Sequence, residues 1–108
     1  MNKEELNKIL FDFNSCGNCC GNKVQTYLIK KLIEDGADIN LKDSEGYTSL
    51  HCASANNNIE LAEYLILKGA NINAKITGNF NNGKTPLHIA VVEEYKEMVE
   101  LLIKNGAD

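Results

Sequence analysis

Arginine and tryptophan are absent from this 108-residue chain, and proline occurs only once. Every basic side chain is therefore a lysine, and the lysines are scattered rather than gathered into a stripe. Without guanidinium forks to grip phosphates, and with a formal charge of -4, the chain has no footprint for nucleic acid. No apolar run approaches the roughly 20 residues that span a bilayer, and the opening Met-Asn-Lys-Glu-Glu lacks the apolar stretch of a secretory signal. No membrane insertion is expected, and the expected location is intracellular, in the cytoplasm. The four cysteines make a poor disulfide framework, since Cys16, Cys19 and Cys20 crowd together and Cys52 falls in a predicted helix. Reduced thiols are the plainer expectation.

What is present is repetition. The stretch Leu65-Ile66-Leu67-Lys68-Gly69-Ala70-Asn71-Ile72-Asn73 has a near copy upstream, Leu32-Ile33-Glu34-Asp35-Gly36-Ala37-Asp38-Ile39-Asn40, and a third beginning at Leu102-Ile103-Lys104-Asn105-Gly106-Ala107-Asp108. Their glycines stand 33 and 37 residues apart. A second phrase, Thr48-Ser49-Leu50-His51, returns as Thr85-Pro86-Leu87-His88, each histidine 18 residues before the following glycine. The helical half of the period is therefore constant, and four extra residues fall between Asn73 and Thr85. Repetition at this period predicts a solenoid whose units bury their apolar faces against one another.

The units divide as residues 1–40, an N-terminal capping repeat with a Cys-rich loop at 14–23, then 41–73, then 74–108 with the insertion. Leu6, Ile9, Leu10 and Phe13 form one helical stripe, and Val24, Tyr27, Leu28, Leu32 and Ile33 another. Gly36, Gly69 and Gly106 end the second helices, as residues free to take positive φ. Thr48 and Thr85 cap the first helices, and Pro86 fills a first helical position where its missing N–H costs nothing. Leu50, Ala53 and Cys52 are expected inside, with Leu61, Ala62, Leu65 and Ile66, then Leu87, Ile89, Ala90, Met98, Val99, Leu102 and Ile103. Residues 37–47 are polar and turn-like, so a projecting hairpin is expected there.

These phrases resemble the ankyrin repeat. The resemblance rests on Asp43, Gly46, Thr48, Leu50, His51 and Ala53, on Gly83, Thr85, Pro86, Leu87, His88 and Ala90, and on the two helix–Gly-Ala-Asn/Asp phrases that follow them. It implies an all-α repeat solenoid of antiparallel helix pairs joined by projecting β-hairpin-like loops. It also implies that His51 and His88 serve structure, each bonding within its box and to the neighbouring hairpin. Two departures stand out: Ser49 replaces the box proline, and Glu94 takes a turn position usually given to glycine, which predicts strain. The sequence stops inside the third phrase, so a piece of a longer array is expected, or a last face that meets a partner.

No catalytic, cofactor-binding or metal-binding residue is assigned, and no cofactor is expected. Neither histidine has a nucleophile and an orienting acid placed beside it. Cys16, Cys19 and Cys20 supply at most three of the four ligands that tetrahedral zinc wants, which favours an inert loop over metal or thiol chemistry. Glu93, Glu94, Glu97 and Glu100 form a negative patch, read as a solvated helix face.

The resemblance implies a non-enzymatic protein-interaction module working through hairpin tips and a concave inner-helix face. Mapped here, the tips offer Leu41, Ser44, Glu45, Tyr47, Lys75, Phe80, Asn82 and Lys84, and the inner helices Ala55, Asn56, Val92 and Glu93. The expected partner is a protein, with the chain monomeric or weakly self-associating through its third repeat. The alternatives are a structural spacer in a longer array, or part of an intracellular effector delivered to a host cell. Valine at Gly69 is expected to cost more than alanine at Gly46, on the expectation that Gly69 takes positive φ beside two packed repeats.

Overall fold

Three helix pairs follow one another along the chain, α1 (Lys3–Ser15) with α2 (Lys23–Glu34), α3 (Ser49–Ala55) with α4 (Ile59–Leu67), and α5 (Pro86–Val92) with α6 (Lys96–Lys104). This computed structural model describes the chain apart from residues 1, 16–22, 79–81 and 108, and apart from the side chains of residues 12–15 and 23. Among the described residues there are six helices and no strand, as an all-α repeat solenoid requires. The expectations for the Phe13 side chain, for Cys16, Cys19 and Cys20, and for Phe80 lie outside the described residues.

Helices of seven residues, such as α3 and α5, are too short to hold themselves in water. Packing holds them instead. Helix α3 lies between α4 and α5, while α2, α4 and α6 stack as a second row behind. Every residue from Ser49 to Ser54 is buried, and Leu61, Leu65, Met98 and Leu102 show no exposed surface. Each such large apolar side chain contributes about 2 kcal/mol by leaving water, before the cost of ordering it.

The local signals explain the helix ends. Thr48 Oγ1 accepts the N–H of His51 and Thr85 Oγ1 that of His88, while each histidine Nδ1 accepts the threonine N–H in return. Pro86 opens α5 as expected. At the other end, Ala37, Ala70 and Ala107 donate to the carbonyls of Leu32, Leu65 and Leu102, with Gly36, Gly69 and Gly106 at positive φ between. This is the Schellman closure. The shorter helices close in the same way through Asn57 (φ 52) and Glu94 (φ 62). Asparagine tolerates that region; glutamate has no such tolerance, so the strain expected at Glu94 is present.

Two expected stripes are rotated. In α2, Val24 and Tyr27 are exposed, and the face that packs consists of Thr26, Ile29 and Leu32. Asn58 at the N-cap of α4 donates its Nδ2 to Thr26 Oγ1 at 2.7 Å, which turns that face of α2 toward α4. Ile103 is likewise exposed, because Met98 and Leu102 fill the space under α6. The outer row is tied further by Lys30 Nζ, 3.3 Å from Glu60, and by the Tyr64 hydroxyl donating to the Lys30 carbonyl. Burial and the nearby Glu34 carboxylate push the Tyr64 phenol up to about 12.

The segments between the helix pairs are hydrogen-bonded turns. The Asp43 carboxylate accepts the N–H groups of Glu45 and Tyr47, and Ile76 and Lys84 close the third unit's loop around the insertion. Asparagine side chains brace the segments that follow α2 and α4, the first from within α1 and the second from the turn after α2. Asn7 accepts from Asp38 N–H and Asn40 from Asn71 N–H, both at 2.7 Å.

Candidate functional site

The constellation that matters sits where α3, α5 and the two loop bases meet. Tyr47, at the end of the second unit's loop, is half-buried and meets His51 edge-on, with ring centroids 5.8 Å apart. His51 is wholly buried. Its Nδ1 accepts from Thr48 N–H, so the proton resides on Nε2, which donates to the Lys84 carbonyl at 3.3 Å. Burial lowers its pKa to about 4, against the help of the Lys84 and Ala74 carbonyls. This histidine is a neutral structural tie between two units, as the resemblance implies. His88 repeats the bond to its own threonine but is exposed, and among the described residues its Nε2 has no carbonyl partner.

Beside this tie lies an open groove of about 220 Å³, lined by Tyr47, Ala55, Lys84, His88, Ile89, Val92 and Glu93. Its floor is apolar. Val92 is 71% exposed although it is a large aliphatic residue, and Ala55 occupies the corresponding place on α3. Lys84 and Glu93 stand exposed at the groove edge, and among the described residues neither enters an ion pair.

Of the residues expected at a binding surface, the structure brings together Tyr47, Ala55, Lys84, Val92 and Glu93. Of the others, Phe80 lies outside the described residues and the rest are elsewhere. Leu41 is half-buried and packs on the core, and Asn56 turns its side chain back onto the Cys52 carbonyl. Ser44, Glu45, Lys75 and Asn82 are exposed on the loops without lining the groove. Lys75 presents its carbonyl to the Lys42 ammonium. Ile89 and His88 were missed as lining residues; Ile89 was assigned to the core and His88 to structure alone. The signal for Ile89 was its position, equivalent to Cys52 one period earlier, next to the outward-facing Ala55.

Glu93, Glu94, Glu97 and Glu100 are all exposed, as a solvated face requires. Among the described residues no group of acidic, cysteine or histidine side chains is placed to hold a metal ion, and Cys52 is buried. No described helix is long and apolar enough to cross a membrane.

A family model described as ankyrin repeats, in three copies, matches residues 8–108. Over 73 residues the chain is 37% identical to the fowlpox virus protein FPV232, whose name describes an ankyrin repeat protein; the match covers 67% of this chain and 15% of that one. It is 40% identical over 47 residues to alpha-latrocrustotoxin-Lt1a of Latrodectus tredecimguttatus, covering 43% of this chain and 3% of the toxin. It is 43% identical over 44 residues to the palmitoyltransferase ZDHHC17 of Homo sapiens, covering 41% of this chain and 7% of the enzyme. The matched stretch is thus 15% or less of each relative's length. With its two capping boxes, three glycine closures and a family match over nearly its whole length, this chain belongs to the ankyrin repeat family, whose repeats are generally protein-interaction modules without catalysis.

Proposed function

We propose that this chain is a non-enzymatic recognition module that seats a segment of a protein partner in the groove between α3, α5 and the loop bases. The observation that carries the reading is Val92, an aliphatic side chain 71% exposed on the floor of a groove that also holds Ala55, Ile89 and Tyr47. Exposed apolar surface ringed by polar groups marks interaction sites. A spacer has no use for it, since its faces gain nothing from an apolar floor. Aromatic residues with one polar end are frequent binding anchors, and Tyr47 is the one available here.

Repeat boundaries at 40/41 and 73/74, a cytoplasmic location and weak self-association through the α5–α6 face belong to the same proposal. That face leaves Val91 and Ile103 exposed. The test is a Val92→Ser variant assayed against a partner protein purified from the native cell. Binding weakened by about tenfold with an unchanged urea midpoint supports the groove. Unchanged binding removes it.

A further inference from the structure

The groove's charges are arranged by α5 itself. Lys84 precedes the first turn of this helix and Glu93 caps its last. The nine steps from Lys84 through α5 to Glu93, at 1.5 Å each, separate the two by roughly 14 Å along the axis. Both side chains are exposed and, among the described residues, outside any ion pair. A screening length of about 8 Å at physiological salt keeps charges so far apart from neutralising one another. Their order also opposes the helix dipole, which favours acid at the start and base at the end, so helix stability does not account for them. Ala55, Ile89 and Val92 line the same groove and supply its apolar floor.

We infer that this groove recognises an extended protein segment in which an acidic and a basic residue flank an apolar one, the acid over Lys84, the apolar side chain on Val92 and the base over Glu93. The inference rests on the recognition role proposed above and adds the chemistry of the partner. An extended chain advances about 3.3 Å per residue, so the two charges of the partner stand about four residues apart, on the same face as the apolar residue midway between them. Complementary charge of this kind fixes direction and register more than it adds affinity, while the buried apolar side chain supplies the attraction.

The experiment pans a displayed library of random peptides against the immobilised protein and, separately, against the Val92→Ser variant and the double variant Lys84→Glu with Glu93→Lys. Because Lys84 and Glu93 are exposed, circular dichroism is expected to show the double variant folded like the parent. The expected result is enrichment of peptides with acid, apolar residue and base in that order. A synthetic copy of the most enriched peptide then loses at least about fivefold in affinity for the double variant, and exchanging its two charges restores the loss. Peptides that depend on Val92 but show no charge order, or bind the double variant equally, overturn the inference and leave the recognition role standing. If no enriched peptide is lost on Val92→Ser, the recognition role fails and the inference with it.

Discussion

His51 and Lys84 meet across the boundary between the second and third units, the buried imidazole Nε2 donating to the backbone carbonyl at 3.3 Å. One neutral ring thus caps its own helix through Nδ1 and holds the base of the next loop through Nε2. Lys84 in turn lines the groove, so the tie that joins the units also positions one of the groove's two charges.

Stability should fall as this histidine is forced to charge. Its pKa is about 4 in the folded chain against 6.5 for an ordinary histidine, so between those values the unfolded chain binds a proton that the folded chain refuses. Stability therefore rises with pH across that window and is lost as pH drops from 6.5 toward 4, by up to about 3 kcal/mol. Urea midpoints measured at pH 7 and pH 5 should show this loss, and His51→Gln, less stable at pH 7, should flatten it. An equal slope in both proteins contradicts the assignment.

Gly69 takes positive φ as expected, but the crowding expected there is found at Gly46 instead. A Cβ on Gly46 (φ +87) collides with the backbone and hydroxyl of Thr77 in the next loop, whereas one on Gly69 (φ +97) meets nothing within 4 Å. Alanine at Gly69 should cost about 1 kcal/mol, the backbone penalty alone. At Gly46 the collision adds to it, and a loss of at least about 2 kcal/mol is expected from urea unfolding.

That change of place shows where sequence stops speaking. The boxes Thr48–His51 and Thr85–His88 and the closures at Gly36, Gly69 and Gly106 were legible because each is settled within a few residues of backbone. The approach of Gly46 to Thr77 joins two loops distant in sequence. The buried face of α2 was illegible for a related reason, since Val24, Tyr27, Thr26 and Ile29 offer two stripes and the bond from Asn58 selects one. Five of the groove's seven lining residues were legible from the resemblance. Ile89 and His88 entered it only once α3 and α5 were packed side by side.

Glu94 carries strain that glycine would remove. At φ 62 it occupies the left-handed region, so Glu94→Gly should raise stability by about 1 kcal/mol in urea unfolding. Asn57→Gly, at the equivalent turn, should change it less, because asparagine already tolerates φ 52. Equal gains from the two would place the cost of Glu94 elsewhere.

Ser54 on α3 is wholly buried, with a hydroxyl that has no hydrogen-bond partner among the described residues. Val91 is the apolar equivalent one period later. Ser54→Ala should therefore stabilise the chain by about 1 kcal/mol, by removing an unsatisfied polar atom from a packed interior. A destabilised variant would mean that the hydroxyl is satisfied.

The groove itself is tested most directly by amide chemical shifts. Titration of the isotopically labelled protein with a peptide selected from the displayed library should move the resonances of Tyr47, Ala55, Lys84, Ile89, Val92 and Glu93 together, along one binding curve. Val92→Ser should weaken that curve by about tenfold while the spectrum of the free protein keeps its dispersion. Shifts gathered on the outer row of α2, α4 and α6, or on the loops around Ser44 and Asn82, would contradict the account and place recognition away from the groove.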